Sequence, residues 1–91
     1  MSNRLEGKVA IVTGAAQSIG AGIARRLTQE GARVLLADTS EEVLNTAAKL
    51  QAQGWVGDLS EESGAAGLVG AAMTHFGRID ILVNNAGGGV I

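Results

Sequence analysis

An apolar run of β-forming residues leads directly into a glycine-punctuated turn and then a helical pattern, and this order constrains the fold more than any other feature. Residues 8–13 read KVAIVT and end at Gly14, which predicts a strand buried on both faces. Ile19, Ile23 and Leu27 then recur at every fourth residue, the spacing of one helix face. The chain is therefore predicted to begin with a strand, a tight turn and a helix.

The rest of the chain repeats this alternation. Three further strands are predicted, over residues 33–37, 55–57 and 79–83. Thr39 and Glu42 form the pattern of a capping box for a helix that reaches about Ala52, and Ser60 is a candidate N-cap for the next helix. Strands alternating with helices predict the α/β class, here a Rossmann-like parallel sheet with helices on both faces.

The third predicted helix combines an apolar stripe with internal glycines. The stripe is expected to lie in the core and consists of Ala65, Leu68, Val69, Ala72, Met73 and Phe76. Gly64, Gly67 and Gly70 lie inside the same helix, where each glycine costs about 1 kcal/mol relative to alanine. The N-terminal half of this helix is therefore expected to be its weakest part.

Composition and charge exclude several classes of function. The chain has 91 residues, a formal net charge of −2 and no cysteine. It therefore carries no basic field for nucleic acid or an anionic membrane surface, and it has neither disulfides nor thiolate metal ligands. The first residues lack the apolar segment of a signal peptide, and no apolar run approaches membrane-spanning length. We expect a cytoplasmic protein without nucleic-acid or membrane partners.

The turn after the first strand is a candidate anion site. At a strand-to-helix turn the backbone N–H groups and the positive end of the helix dipole converge, which suits a pyrophosphate. Gly14 would permit the sharp turn, and Gly20 would let the helix pack close to the strand. Ser18 stands where such turns usually carry glycine, although its hydroxyl could cap the first helical turn or reach a phosphate oxygen. A glycine pattern alone is weak evidence, and a tight turn without a ligand stays open.

Asp38 strengthens the nucleotide interpretation. It ends the second strand, close to the spacing of about 20 residues after the glycine turn at which a carboxylate reaches the adenosine ribose. A carboxylate there accepts hydrogen bonds from the ribose hydroxyls and repels a 2′-phosphate. Because neither Gln17 nor Thr39 is basic, NAD is favoured over NADP. The alternative is that Asp38 only caps the turn that follows it.

These residues together resemble the short-chain dehydrogenases/reductases, and the resemblance spans nearly the whole chain. It is carried by one motif after each predicted strand: Thr13-Gly14-x-x-x-x-x-Gly20, Asp38, Asp58-Leu59 and Asn84-Asn85-Ala86-Gly87. The cofactor-binding residues that the resemblance implies are Gly14, Gln17, Ser18, Ile19, Gly20, Asp38, Asp58, Leu59, Asn85, Ala86 and Gly87. The turn would bind the pyrophosphate, Asp38 the ribose, and Asp58 with the Leu59 backbone the adenine. Without the resemblance, Asp58 is equally a loop acid and the asparagines a polar strand end.

The resemblance also implies an enzymatic activity, but the residues that carry out the family's chemistry are not found in this chain. Members of the family transfer a hydride between nicotinamide and an alcohol or carbonyl carbon, using a serine and a Tyr-x-x-x-Lys pair that lie beyond the fourth strand. This chain contains no tyrosine. Residues 1–91 are therefore interpreted as a single partial cofactor-binding domain without the second half of the fold, and no catalytic residue is assigned. We expect this chain to be inactive alone and the complete enzyme to be a homo-oligomer, a dimer or a tetramer.

Two other classes of function stay open from the sequence. One is a non-catalytic module that binds NAD without chemistry. The other is an assembly element, because the apolar fourth strand would lie at a sheet edge and bare edges pair with other chains. His75, the single histidine, is interpreted as a surface residue near a helix C-terminus rather than a ligand.

Overall fold

Seven elements alternate along residues 4–85, the part of the chain that the computed structural model describes. The strands are β1 (Val9–Thr13), β2 (Arg33–Asp38), β3 (Gln53–Val56) and β4 (Ile81–Val83). The helices are α1 (Ser18–Gln29), α2 (Glu42–Leu50) and α3 (Glu62–Phe76). Their order and type confirm the predicted α/β fold, and their bounds differ from the predicted ones by a few residues.

The four strands form one parallel sheet in the order β3-β2-β1-β4. The sheet is centred on β1 and β2, and in β1 all five residues are buried. Ile11 pairs with Leu35 on one side and with Leu82 on the other. Because successive residues of a strand point to opposite faces, this register sorts the apolar side chains into two layers.

Each face of the sheet is covered by different helices. On one face, Val12 and Leu36 belong to a cluster with the buried α2 residues Val43 and Ala47 and with Ala24 of α1. On the other face the cluster comprises the strand residues Ile11, Leu35 and Ala37 and the α3 residues Leu68 and Ala72. Helices on both faces are the arrangement that right-handed crossovers between parallel strands produce.

The predicted helix caps are wrong. At α2 the hydroxyl of Thr39 lies 3.4 Å from an Asp38 carboxylate oxygen, and it is the Ser40 hydroxyl that accepts from the Glu42 N–H at 3.1 Å. At α3 the N-cap position is Glu61, without a side-chain cap bond. Ser60 instead donates to the Asp58 carboxylate. At both sites the hydroxyl of the predicted cap lies against the carboxylate of an aspartate one or two residues upstream rather than at an N–H of the helix, because a charged acceptor so close in sequence forms a local hydrogen bond.

The stripe predicted for α3 is only partly buried. Leu68 and Ala72 lie in the core, but Val69 and Met73 are 49% and 47% exposed, contrary to the prediction. Ala65 is exposed as well, and Phe76 is partly buried beneath the Arg33 guanidinium, 4.9 Å from its ring centroid. Since α3 carries apolar residues on most of its surface, the spacing alone could not show that only the narrow Leu68–Ala72 line faces the sheet.

The glycines of α3 have different surroundings. A Cβ on Gly64 would overlap the backbone carbonyl of Asp58, whereas one on Gly70 would meet no atom within 4 Å. Gly64 therefore allows the first turn of α3 to lie against the loop after β3. Of these two glycines, only Gly70 fits the expectation of a residue that merely weakens the helix.

We expect opposite effects from two alanine substitutions in α3. Gly70→Ala should stabilise the chain by about 0.5–1 kcal/mol because alanine loses less backbone entropy in a helix. Gly64→Ala should destabilise it by about 1–3 kcal/mol because the added methyl forces α3 away from the Asp58 carbonyl. Urea denaturation of the two variants measures both values. Equal changes in the free energy of unfolding would contradict the close approach.

Candidate functional site

The predicted site residues within the described part of the chain lie along one edge of the sheet, because the carboxyl ends of parallel strands share an edge. Gly14 follows β1, Asp38 ends β2, Asp58 follows β3 and Asn85 follows β4. Ala86 and Gly87, which were also predicted to bind the cofactor, lie outside the described residues. The fold thus brings four separate segments of the sequence to a single rim.

The turn between β1 and α1 depends on two glycines. Gly14 has a φ of 62°, a conformation that favours glycine. A Cβ on Gly20 would overlap the Gly14 carbonyl and would lie 2.9 Å from the Asn85 amide nitrogen. The absence of a side chain at Gly20 therefore lets α1 begin directly against the end of β1, as the sequence predicts. Ile19 beside it is 72% exposed, which leaves a large apolar side chain open at the rim.

Hydrogen bonds from outside the turn fix its backbone. The N–H of Ala15 donates to the Ala37 carbonyl at 3.1 Å, and that of Ala16 donates to the Asp38 carboxylate at 3.0 Å. On the other side of the same residue, the Thr46 hydroxyl donates to the Ala16 carbonyl at 2.5 Å. The turn is therefore tied to both β2 and α2.

The first turn of α1 keeps donors that a ligand can use. The N-cap residue is Gln17, no side chain in the described residues caps this end, and its first turn holds no acidic residue. The opening N–H groups of an α-helix have no partner within the helix and lie at the positive end of its dipole. This end of α1 can accept an anionic group such as a phosphate.

Ser18 does not cap the helix, contrary to one of the roles considered for its hydroxyl. It is the first residue of α1 and has a φ of 59°. This left-handed conformation disfavours residues that carry a Cβ, which gives a physical reason for glycine at such a position. Serine at this position thus strains the backbone of the turn.

Asp38 combines two roles. One carboxylate oxygen accepts from the Ala16 N–H of the turn, and the other accepts from the Ser40 N–H at 3.1 Å. Partial burial by itself raises the pKa of the Asp38 carboxyl. Hydrogen bonds from three backbone N–H groups, led by that of Ala16, and from the Thr39 hydroxyl outweigh this effect. The pKa of Asp38 therefore lies below its ordinary value. Asp38 is thus ionised at neutral pH. Capping of the following turn, the alternative to ribose binding, is observed.

The end of β4 is joined to the end of β1 through Thr13. The Asn85 N–H donates to the Thr13 hydroxyl oxygen at 2.8 Å, and the Asn85 side-chain amide donates to the Gly14 carbonyl at 3.4 Å. The Thr13 hydroxyl lies 3.2 Å from the Asn84 side-chain oxygen. These contacts brace the central strands beneath the turn.

Asp58 lies at the same edge but forms a separate local structure. Its carboxylate accepts from the Ser60 hydroxyl at 2.6 Å and from the Ser60 N–H at 2.9 Å, and these bonds lower the pKa of Asp58. Leu59 is half-buried and packs against the apolar cluster that contains Leu68 and Ala72 of α3. The Gly57 N–H donates to the Asp38 carbonyl at 3.0 Å, which connects this loop to β2.

Sequence reasoning missed three contributors to this rim. Thr46 lies 30 residues from its partner Ala16, and Gly64 is one of several helical glycines, so no local pattern singles out either of them. Thr13 stood at the start of the predicted motif, but a strand-ending threonine gave no sign that it links to β4.

Within residues 4–85, no group of three or more histidines, aspartates or glutamates could hold a metal ion, and no helix is long and apolar enough to cross a membrane.

Comparison with known proteins identifies the family. Residues 8–90 match the family described as short chain dehydrogenase. The chain belongs to this family, as the motifs at the ends of the strands indicate.

Individual relatives match the chain over nearly all of its length. It is 44% identical over 94 residues to 1,6-dihydroxycyclohexa-2,4-diene-1-carboxylate dehydrogenase of Acinetobacter baylyi, covering 98% of this chain and 36% of that protein. It is 49% identical over 94 residues to 2,3-dihydroxy-2,3-dihydro-p-cumate dehydrogenase of Pseudomonas putida, covering 96% of this chain and 36% of that protein. Both relatives are named as dehydrogenases.

A solved structure shows the same fold. The crystal structure of 3-ketoacyl-(acyl-carrier-protein) reductase from Brucella melitensis complexed with NADH superposes with a TM-score of 0.83 at 37% identity, covering 86% of this chain and 33% of that chain. This chain spans about a third of the length of these proteins. The observed sheet is thus a truncated form of the Rossmann-like fold.

Replacement of Ser18 tests the strain in the turn. Ser18→Gly should be more stable than Ser18→Ala by about 1 kcal/mol, because glycine adopts a positive φ without a steric cost. Thermal and urea denaturation measure the difference. Gln51 has a nearly identical φ of 58° at the end of α2, so Gln51→Gly against Gln51→Ala is a matched control away from the rim. Equal free energies of unfolding for Ser18→Gly and Ser18→Ala would contradict a strained backbone at this position.

Proposed function

We propose that the chain is the cofactor-binding portion of an NAD-dependent short-chain dehydrogenase/reductase. The proposal is supported most by the joining of the α1 turn to Asp38, since one oxygen of this carboxylate fixes the backbone of the anion site. In a dinucleotide the pyrophosphate is bonded directly to the 5′-oxygen of the adenosine ribose, and the turn and Asp38 offer a partner for each of these two neighbouring groups. The NADH bound to the related reductase supports a nicotinamide dinucleotide as the ligand.

The remaining predicted residues have proposed roles around the same ligand. Gly14, Gln17, Ser18, Ile19 and Gly20 would surround the pyrophosphate, and Asp58 and Leu59 would surround the adenine. Asn85, Ala86 and Gly87 would line the ribose side of the cofactor. Ile19 fits this arrangement because its exposed side chain is an apolar surface beside the helix N-terminus. For the described residues, their common position at the carboxyl edge of the sheet supports these roles.

The complete protein would oxidise an alcohol or reduce a carbonyl group. The two relatives from Acinetobacter and Pseudomonas are named for dihydroxy compounds with a cyclic diene, and the structural relative is named a ketoacyl reductase. All three names describe chemistry at a carbon that carries oxygen. A homo-oligomeric assembly, a cytoplasmic location and the interpretation of residues 1–91 as one partial domain stay predictions.

The choice of NAD over NADP can be measured by calorimetric titration. We expect NAD to bind at least about 10-fold more tightly than NADP, because the ionised Asp38 accepts from ribose hydroxyls and repels a 2′-phosphate. In Asp38→Asn the affinity for NAD should fall by about 10- to 100-fold, the loss of a hydrogen bond to a charged group, and the affinity for NADP should fall less.

A matched substitution separates this local effect from a change in net charge. Asp80 precedes β4 at the opposite edge of the sheet, where it accepts from the Val9 N–H at 2.9 Å and pairs with Arg78. Asp80→Asn removes the same charge and should leave the ratio of the two affinities unchanged. Equal binding of NAD and NADP by the unsubstituted chain would refute the selectivity assigned to Asp38.

The chain should bind the cofactor without turning it over, because no tyrosine is present to serve as the family's proton relay. Purified chain that binds NAD in the titration is incubated with NAD and a set of secondary alcohols and cyclic diols, and NADH formation is followed by absorbance. We expect no rate above a blank without protein. Turnover above that blank by homogeneous material would show that the chemistry uses other residues.

A further inference from the structure

The peptide groups on both sides of Ala16 are held from two directions. Its N–H donates to Asp38 at the end of β2, and its carbonyl accepts from the hydroxyl of Thr46 on α2. Ala16 is only 4% exposed, so water has little access to replace either partner. An unpaired carbonyl at such a position is costly, which makes the Thr46 hydroxyl its principal partner.

The geometry of the peptide unit extends this contact to the neighbouring residue. The carbonyl of Ala16 and the N–H of Gln17 belong to one planar unit, and the described chain contains no cis peptide bond. In a trans unit these two groups point in opposite directions. Since Thr46 fixes the carbonyl toward α2, the Gln17 N–H must point away from α2.

Gln17 occupies the position where a ligand meets the helix. It is the N-cap of α1, its backbone is extended, and its side chain makes no cap hydrogen bond. The first N–H groups of α1 follow directly in the sequence. The Gln17 N–H and these groups together form the set of donors that an anion would meet, so the direction of the Gln17 N–H affects how this set fits an anion.

α2 is a firm support for Thr46. Val43 and Ala47, three residues before and one residue after it, are 0% and 2% exposed and lie in the core. The Thr46 hydroxyl also lies 3.3 Å from the Glu42 carbonyl within its own helix, but the 2.5 Å contact with Ala16 is much the shorter. A hydroxyl has one proton to donate, and these distances place it on Ala16.

We propose that Thr46 is a positioning residue for the dinucleotide: through the Ala16 carbonyl it directs the Gln17 N–H toward the pyrophosphate. Thr46 does not contact the ligand itself. The inference rests on the proposed function, since it assigns the pyrophosphate to this turn. It adds α2 to the elements that determine cofactor affinity.

Substitution of Thr46 tests this role by titration with NAD. Thr46→Val keeps the shape but cannot donate, and it should weaken NAD binding by about 2- to 10-fold, the value of one hydrogen bond. Thr46→Ser restores the hydroxyl and should bind within about twofold of the unsubstituted chain. Thr46→Ala provides the same comparison if the valine variant does not fold.

A matched control removes a hydroxyl that serves only its own helix. Thr28 on α1 donates to the Ala24 carbonyl at 2.9 Å, the preceding-turn contact that Thr46 also has within α2. Thr28→Val should leave NAD affinity unchanged. A loss equal to that of Thr46→Val would show a general helix effect and would overturn the inference.

Hydrogen exchange gives a measurement that needs no ligand. In Thr46→Val the hydrogen-bonded amides of Ala15 and Ala16 should exchange faster than in the unsubstituted chain, while Leu36 in β2 should not change. If the unsubstituted chain binds no NAD, the proposed function fails, and the exchange rates still show whether Thr46 orders the turn. If it binds NAD and Thr46→Val binds equally well, the positioning role alone is wrong.

Discussion

Burial of β1 on both faces is the constraint on which the rest of the structure depends. All five of its residues are buried, and it pairs in parallel with β2 on one side and β4 on the other. Parallel neighbours require crossover helices, and helices on both faces are what bury the two sides of β1. The same parallel arrangement brings the carboxyl end of every strand to one edge, so the requirement to bury β1 also creates the rim on which the candidate site lies.

At that rim, structural and ligand-binding roles fall on the same groups. Asp38 accepts from the Ala16 N–H and is also the proposed partner of the ribose. Asn85 donates to both Thr13 and Gly14, next to the proposed phosphate position. A site held in this way is ordered before the ligand arrives, which reduces the entropy lost on binding. It also means that substitutions here change the backbone of the turn as well as contacts with the ligand.

Ser18 shows how a departure from a motif becomes a physical statement once its backbone is known. In the sequence it is a small polar residue at a position that usually carries glycine, and its hydroxyl suggests a compensating cap. In the structure it has a positive φ and makes no cap, so the cost of the substitution lies in the backbone. The surrounding hydrogen bonds to Ala16 from β2 and α2 are what hold the turn in this conformation.

The sequence by itself determined the alternation of strands and helices, the parallel sheet and the motif at each strand end, because buried strands and amphipathic helices leave local periodic patterns. It did not determine which side of α3 is buried, since Val69 and Met73 share the apolar character of Leu68. Nor could it reveal Thr46 holding Ala16 or Gly64 against Asp58. Such contacts join residues far apart in the chain, and only the packing of helices on the sheet decides which distant side chains meet.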